Sequence, residues 1–342
     1  MNPVMTSLIL SSLALGTMIT MSSFHWLLAW VGLELNTLAI IPIIAKQHHP
    51  RGTEATTKYF LTQAAASAMV LFSSTVNAWS TGTWDIMQLT SQPASIMLTM
   101  ALSMKLGLAP LHFWLPEVLQ GASLKTALII TTWQKLAPMT LLYLTQQALN
   151  PTTLLTLGLL STLVGGWGGL NQTQTRKIMA YSSIAHLGWM ATILTISREI
   201  LVLNLTLYLL MTISTFMVLI FTLSKTIKDL TTTWAISPTM SSLTLILLMS
   251  LGGLPPLTGF MPKWLILQEL TTHSLPTLAT ILAISALLSL FFYLRLSYTT
   301  ALTLPPTTTQ TKLKWRFHLK QKTTAFSTTL ALSTLLLPIT PI

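Results

Sequence analysis

What most restricts the fold of this chain is a succession of apolar runs of about twenty residues, separated by short polar clusters from one end to the other. A run of that length winds into a helix long enough to cross the hydrocarbon core of a bilayer, where every backbone N–H and C=O must be satisfied within the segment. The runs fall near 4–22, 24–45, 59–80, 94–116, 124–147, 152–170, 177–196, 200–223, 240–269, 274–296 and 324–340. Eleven spans with short connections use up the 342 residues and leave no sizeable soluble domain. Composition agrees, since 51% of residues are hydrophobic and only 7% charged, too few to cover a water-exposed surface. The expected class is an all-α polytopic membrane protein. The first run opens without a basic stretch or a small-residue cleavage site, so Met1 is expected to begin the first span.

Alternating spans divide the connections into two sets, and the cations sort strongly between them. One set holds Lys46, Arg51, Lys58, Lys125, Arg176, Lys177, Lys225, Lys228, Arg295, Lys312, Lys314, Arg316, Lys320 and Lys322, fourteen of the eighteen Lys and Arg residues, while the other holds Arg198 alone. By the positive-inside rule the basic set, and the N-terminus with it, faces the cytoplasm, or the matrix in a mitochondrion. The net charge of +11 therefore reports topology rather than nucleic-acid binding, which would need a clustered basic face with polar or aromatic readers. Zero Cys excludes disulfides, thiolate zinc sites and cysteine-ligated iron–sulfur clusters. No G-x-G-x-x-G or P-loop pattern supports a nucleotide site.

An internal repeat emerges when Gly107-Leu-Ala-Pro-Leu-His-Phe-Trp-Leu-Pro-Glu117 is laid over Gly253-Leu-Pro-Pro-Leu-Thr-Gly-Phe-Met-Pro-Lys263, where five of eleven positions agree, including two prolines at the same spacing. The two stretches lie in the fourth and ninth spans, an odd number of helices apart, so the units that contain them run in opposite directions. Gly and Pro at matching places in two halves predict discontinuous helices, the usual location of ion sites in transporters.

Against this apolar background a few ionisable residues lie at depth. Glu34 is about ten residues into the second span, close to mid-membrane at 1.5 Å per residue. Lys105 precedes the first Gly/Pro break, Lys135 has similar depth in the fifth span, and Lys263 follows the second break. A charge at a helix centre costs about 2.5–3.5 kcal/mol, so each must face protein, water or a partner. Snorkelling does not rescue mid-span positions, because a lysine side chain reaches about 6 Å and the interface is about 15 Å away. A static ion pair accounts for Glu34 and one lysine only, since Glu54, Asp85, Glu117, Glu199, Asp229 and Glu269 lie near span ends or in connections. In general, burial brings the neutral amine of a lysine within reach and a neighbouring carboxylate restores the ammonium, which makes the proton mobile. His186, about ten residues into the seventh span beside the hydroxyls of Tyr181, Ser182 and Ser183, is either a further relay group or a hydrogen-bonded core histidine, and His112 inside the first break is a second candidate. Two membrane histidines do not make a haem site.

These residues resemble the subunit 2 family of mitochondrial NADH:ubiquinone oxidoreductase (respiratory complex I), one of its antiporter-like membrane-arm families. The resemblance is carried by Trp30-Val-Gly-Leu-Glu34-Leu-Asn36, Lys105-Leu-Gly-Leu-Ala-Pro-Leu-His-Phe-Trp-Leu-Pro-Glu117, Thr132-Trp-Gln-Lys135, Tyr181-Ser-Ser-Ile-Ala-His186 and Gly253-Leu-Pro-Pro-Leu-Thr-Gly-Phe-Met-Pro-Lys263, and it covers essentially the whole chain. It implies two inverted five-helix units, here 1–148 and 149–298, followed by a basic matrix loop and a C-terminal transmembrane helix in 299–342. Bacterial members carry three further N-terminal spans. The resemblance also implies proton translocation coupled to NADH:ubiquinone electron transfer, with Glu34 and Lys105 opening a buried axis, Lys135 as its central proton carrier and Lys263 at its distal end. Flavin, iron–sulfur clusters and ubiquinone are then expected in other subunits and no redox cofactor in this chain. Its expected partners are the other core and accessory subunits and membrane lipids, in the mitochondrial inner membrane with the N-terminus on the matrix side. Two alternatives are an autonomous cation/proton antiporter, which would call for more carboxylates at depth than Glu34, and a structural membrane scaffold.

Overall fold

The computed structural model describes residues 2–47, 49–303 and 324–336. The basic residues Lys312, Lys314, Arg316, Lys320 and Lys322 lie outside the described residues. Regular structure among the described residues is helical, accompanied by isolated β-bridges between His25 and Asp85 and between Gln174 and Thr226.

The first helices are α1 (Pro3–Ser22), α2 (Trp26–Ile44) and α3 (Pro50–Thr81). Pro3 and Pro50 occupy first-turn positions, where the missing N–H would be unpaired in any case. α3 stops at Gly82, whose φ of 72° places it in the left-handed region that terminates helices. The fourth apolar run is split into α4 (Gln92–Leu106) and α5 (Trp114–Gly121), and the fifth into α6 (Leu124–Thr131) and α7 (Trp133–Thr145). Then follow α8 (Pro151–Gly169), α9 (Thr175–Leu194), α10 (Arg198–Thr222) and a short α11 (Ile227–Ile236). The ninth run is split into α12 (Pro238–Gly252) and α13 (Phe260–Thr272), and α14 (Pro276–Leu302) and α15 (Thr324–Leu335) complete the described helices. Among the described residues five helices, α1, α2, α3, α10 and α14, are long and apolar enough to cross a membrane.

Three features depart from a reading of apolar runs alone. α3 begins at Pro50, so much of the basic connection read as 46–58 is wound into its first turns. The connection read as 224–239 contains α11, held at its start by a capping box in which Asp229 N–H donates to Thr226 Oγ1 at 3.3 Å and Thr226 N–H donates to Asp229 Oδ2 at 2.9 Å. The fifth run is interrupted at Thr132, where Lys135 N–H bonds to Thr132 O in place of the carbonyl one residue earlier. Thr131 and Thr132 both back-bond to carbonyls of the preceding turn, a pattern that bends helices.

The chain divides into two units, one of Met1–Ser161 with Met190–Arg198, the other of Thr162–Trp189 with Glu199–Ile342. In both, large apolar side chains lie outward, Trp79 at 93% exposure and Phe24 at 80% being extremes, while hydroxyl residues such as Thr20, Ser73, Thr131, Ser183, Ser250 and Ser285 are buried. These hydroxyls bond to carbonyls of their own helices, as a lipid environment requires.

Connections assigned by charge to the same set meet one another. In the first unit Lys58 Nζ bridges Glu54 Oε1 and Glu117 Oε2, each at 2.6 Å. On the other side of the alternation, Trp26 N–H donates to Trp84 O and Ile86 N–H to Phe24 O, both at 3.0 Å. In the second unit Thr175 N–H donates to Lys225 O and Ile227 N–H to Thr173 O, both at 3.1 Å, while Arg295 donates to Leu170 O at 2.7 Å.

Candidate functional site

Both broken helices end in the same way. α4 terminates at Gly107 and α12 at Gly253, each with φ of 78°. A helix leaves its last carbonyls without intrahelical donors, and its C-terminal end carries partial negative charge. Part of this deficit is met locally: Gly107 N–H and Leu108 N–H turn back onto Ser103 O, and Gly253 N–H onto Met249 O and Ser250 O. The rest is met by side chains. Trp114 Nε1 donates to Met104 O at 3.0 Å, Lys135 Nζ to Leu106 O at 2.5 Å, and Lys263 Nζ to Gly252 O at 2.9 Å.

In the first unit Lys135 is 1% exposed, with its ammonium 5.4 Å from the centre of the Trp114 ring, so the ring face and a helix-end carbonyl share the charge. Lys105, 4% exposed, is in the last turn of α4, and its Nζ has no hydrogen-bond partner. Glu34 on α2 is half-buried, its Oε2 likewise lacks a hydrogen-bond partner, and its carboxylate acts electrostatically on Lys105 and on the buried Tyr59. Lys105 and Lys135 line one small cavity, together with Asn36, Tyr59, Gln63 and Gln134. Gln63 is 3% exposed and its Nε2 is unpaired, so this cavity presents both a cation and an amide without protein partners.

In the second unit His186 on α9 is 7% exposed and lies with its ring 5.6 Å from that of Tyr208. His186 and Lys263 interact electrostatically and line one small cavity with Trp189, Ser289 and Tyr293. His112 is buried in the α4–α5 break, where Nδ1 lies 3.3 Å from Pro110 O and the ring packs 4.3 Å from that of Phe113. It lines neither cavity. The structure therefore gathers Glu34, Lys105 and Lys135 in the first unit, gathers His186 with Lys263 in the second, and places His112 at the break, outside both cavities.

Sequence reading did not single out Trp114, Gln63, Tyr59 or Gln134. Trp114 carried a usable signal, since a tryptophan beside a Gly/Pro break supplies an N–H where carbonyls are left free. Among the described residues no group of three or more His, Asp or Glu is placed to hold a metal ion.

Comparison with known proteins gives a consistent result. The family model described as "NADH:quinone oxidoreductase/Mrp antiporter, TM" matches residues 23–289, and that of the "NADH dehydrogenase subunit 2 C-terminus" matches residues 290–342. The chain is 61% identical over 342 residues to NADH-ubiquinone oxidoreductase chain 2 of Varanus timorensis, covering 100% of this chain and 99% of that relative. Its likeness to the protein of the same name from Xenopus laevis is 59% over 342 residues, again covering 100% and 99%. Among solved structures, a chain of respiratory complex I from Thermus thermophilus superposes with a TM-score of 0.81 at 27% identity, over 99% of this chain and 80% of that one. A chain of the Mrp complex from Dietzia sp. has a TM-score of 0.77 at 16% identity, over 87% of this chain and 61% of that one, a likeness of fold alone.

Proposed function

The chain belongs to the NADH:quinone oxidoreductase/Mrp antiporter family of membrane subunits, and on that basis we propose that it is a proton-translocating, antiporter-like subunit of the membrane arm of respiratory complex I, in the mitochondrial inner membrane. The arrangement consists of eleven spans with the N-terminus on the matrix side, two inverted five-helix units over 1–148 and 149–298, and a C-terminal helix after a basic loop. Flavin, iron–sulfur clusters and ubiquinone belong to other subunits, and the neighbours of this chain are other core and accessory subunits and lipid. NADH oxidation happens elsewhere; this chain moves protons.

The observation that carries the relay is the partnering of the deep lysines. Lys135 and Lys263 rest on backbone carbonyls, not on carboxylates, so neither is locked into a permanent ion pair. An ammonium held by a neutral acceptor can give up its proton without leaving a stranded anion, whereas a carboxylate partner would hold it more tightly. This speaks against a purely structural scaffold. In our reading Glu34 loads Lys105, the polar cavity carries the proton to Lys135, and Lys263 with His186 handles it at the distal end. A neutral imidazole both donates and accepts, so His186 extends the path.

Native gels of solubilised membranes test the assembly, and Lys105→Met tests the relay. The chain should migrate with NADH:ubiquinone oxidoreductase activity, and vesicles bearing the assembled variant should translocate fewer protons per NADH oxidised. A wild-type proton yield in that variant would sink the relay reading.

A further inference from the structure

Lys135 and Lys263 reach equivalent acceptors from different places. Lys135 comes from α7, the helix beyond the break, and contacts Leu106 O, 29 residues away; Lys263 comes from α13, the continuation of the broken helix itself, and contacts Gly252 O, 11 residues away. The common element is the carbonyl immediately before a left-handed glycine. The two glycines differ in what surrounds them. A Cβ at Gly107 would meet Leu115 Cδ1 at 3.1 Å and Trp114 Cζ2 at 3.4 Å, both side chains of α5. At Gly253 it would stand 3.0 Å from Lys263 Nζ, 3.1 Å from Lys263 Cδ and 3.2 Å from the Gly259 carbonyl oxygen, so the lysine must give by a few tenths of an ångström and its hold on the helix end is disturbed.

We propose that Gly253 is a positioning residue for Lys263: its missing Cβ is the slot through which the ammonium docks on the Gly252 carbonyl at the rim of the His186 cavity. The inference rests on the relay reading above and adds to it a residue without any ionisable group. Three observations support it independently of one another. The Lys263 Nζ to Gly252 O distance is 2.9 Å, an ordinary hydrogen bond. The positive φ of Gly253 turns the chain at the point where α12 would otherwise continue and cover the carbonyl. The negative end of the α12 dipole lies at this place, which favours a cation over a neutral donor. Groups facing the ammonium from other elements are His186 on α9 and Tyr293 on α14, both of which line the same cavity. Neither is an anion at neutral pH, so the carbonyl is the acceptor that fixes where Lys263 rests.

The test uses the assembled complex in vesicles and compares Gly253→Ala with Gly82→Ala. Gly82 ends α3 with a φ of 72° and nothing within 4 Å of an added Cβ, so it carries the same backbone strain with no lysine to displace. Gly253→Asn is added because Asn tolerates the left-handed region while keeping the obstructing Cβ. Both Gly253 variants should lose part of the proton yield per NADH that Lys263→Met loses, and their remaining translocation should follow a shifted pH profile. Gly82→Ala should match the wild type in both respects. A wild-type yield and profile in the Gly253 variants, with Lys263→Met deficient, overturns the positioning role while leaving the relay intact. A wild-type yield in Lys263→Met removes Lys263 from the relay and the inference with it. Independently of any variant, a cryo-EM map of the wild-type complex with the Lys263 amine beyond hydrogen-bond distance of the Gly252 oxygen overturns it.

Discussion

Replacing Lys135 with Met separates the proton from the packing. The residue is 1% exposed, and its ammonium has one hydrogen-bond acceptor, Leu106 O at 2.5 Å, and one ring, Trp114, at 5.4 Å. Met keeps the unbranched stem and much of the volume, so the packing of α7 against α4 survives. Two energetic consequences oppose each other. The Leu106 carbonyl is left buried without its donor, which costs about 1–3 kcal/mol. At the same time a charge is removed from mid-membrane depth, which recovers about 2.5–3.5 kcal/mol. Terms of similar size and opposite sign leave folding close to neutral, so the complex should assemble and any functional loss belongs to the missing proton site.

The assay is proton translocation and NADH oxidation in vesicles that contain assembled complex, normalised to its amount on native gels. Lys135→Met should lower protons moved per NADH and slow quinone-linked oxidation. Lys135→Arg should also impair translocation although it keeps the charge and the donors, because guanidinium does not release its proton in proteins. Full activity in the Arg variant would mean that charge alone is needed there. A wild-type proton yield in the Met variant would remove Lys135 from the relay.

Gly165→Ala should destabilise the second unit by about 1–3 kcal/mol, because the new Cβ would stand 2.7 Å from Ala185 N and 2.9 Å from Tyr181 O, and backbone cannot swing aside as a side chain can; a thermal melt of the purified complex that matches wild type would refute this. Burial works against ionisation of Asp229, but the backbone N–H and hydroxyl of Thr226, the backbone N–H of Lys225 and the Lys225 charge outweigh it and hold the carboxyl below its ordinary value. With a depressed folded-state value, the stability that the α11 cap contributes is present above the unfolded value and is lost as pH falls through the folded one, so protection of the α11 amides against hydrogen exchange should weaken on acidification in wild type and much less in Asp229→Asn. Because the chain has zero Cys, Lys228→Cys and Met87→Cys can be labelled singly, and a membrane-impermeant thiol reagent should reach them from opposite sides; labelling of both from one side would overturn the sorting of connections.

The order of the helices was legible because lipid removes most of the freedom a soluble sequence has. Apolar runs must be helices there, and a Gly/Pro pair such as Gly107 with Pro110, or Gly253 with Pro256, must end one. The deep lysines were legible for the same reason, since an ammonium such as Lys135 stands out in an apolar run. What escaped reading falls into two kinds. Some signals were present in the sequence: Thr226-x-x-Asp229 is a capping box and marks the start of α11, and His49-Pro50 marks the early start of α3. Other features had no signal. Leu106 O and Gly252 O are backbone acceptors, and a carbonyl carries no residue identity, so no pattern of residues could pair Lys135 with Leu106 across 29 positions. The interruption at Thr132 likewise depends on hydroxyls bonding backward, which threonines do in many unbroken helices.

The broken helices link fold to chemistry because one defect meets two requirements. An intact helix offers a buried lysine nothing to bind, since its carbonyls are already bonded four residues on. A lysine beside such a helix would need a carboxylate, and a carboxylate at depth is both costly and adhesive to the proton. Ending the helix inside the membrane frees carbonyls that must find donors in any case, so the fold and the ammonium satisfy each other with neutral partners. In the first unit Leu106 O and Lys135 do this, and in the second Gly252 O and Lys263. In the relay reading proposed above, a lysine held in this way is stable enough to assemble and loose enough to titrate. The proposed proton path is therefore sensitive to a residue that carries no charge: a Cβ in the left-handed turn at Gly253 crowds the acceptor, and the resting place of Lys263 is disturbed although its own side chain is unchanged.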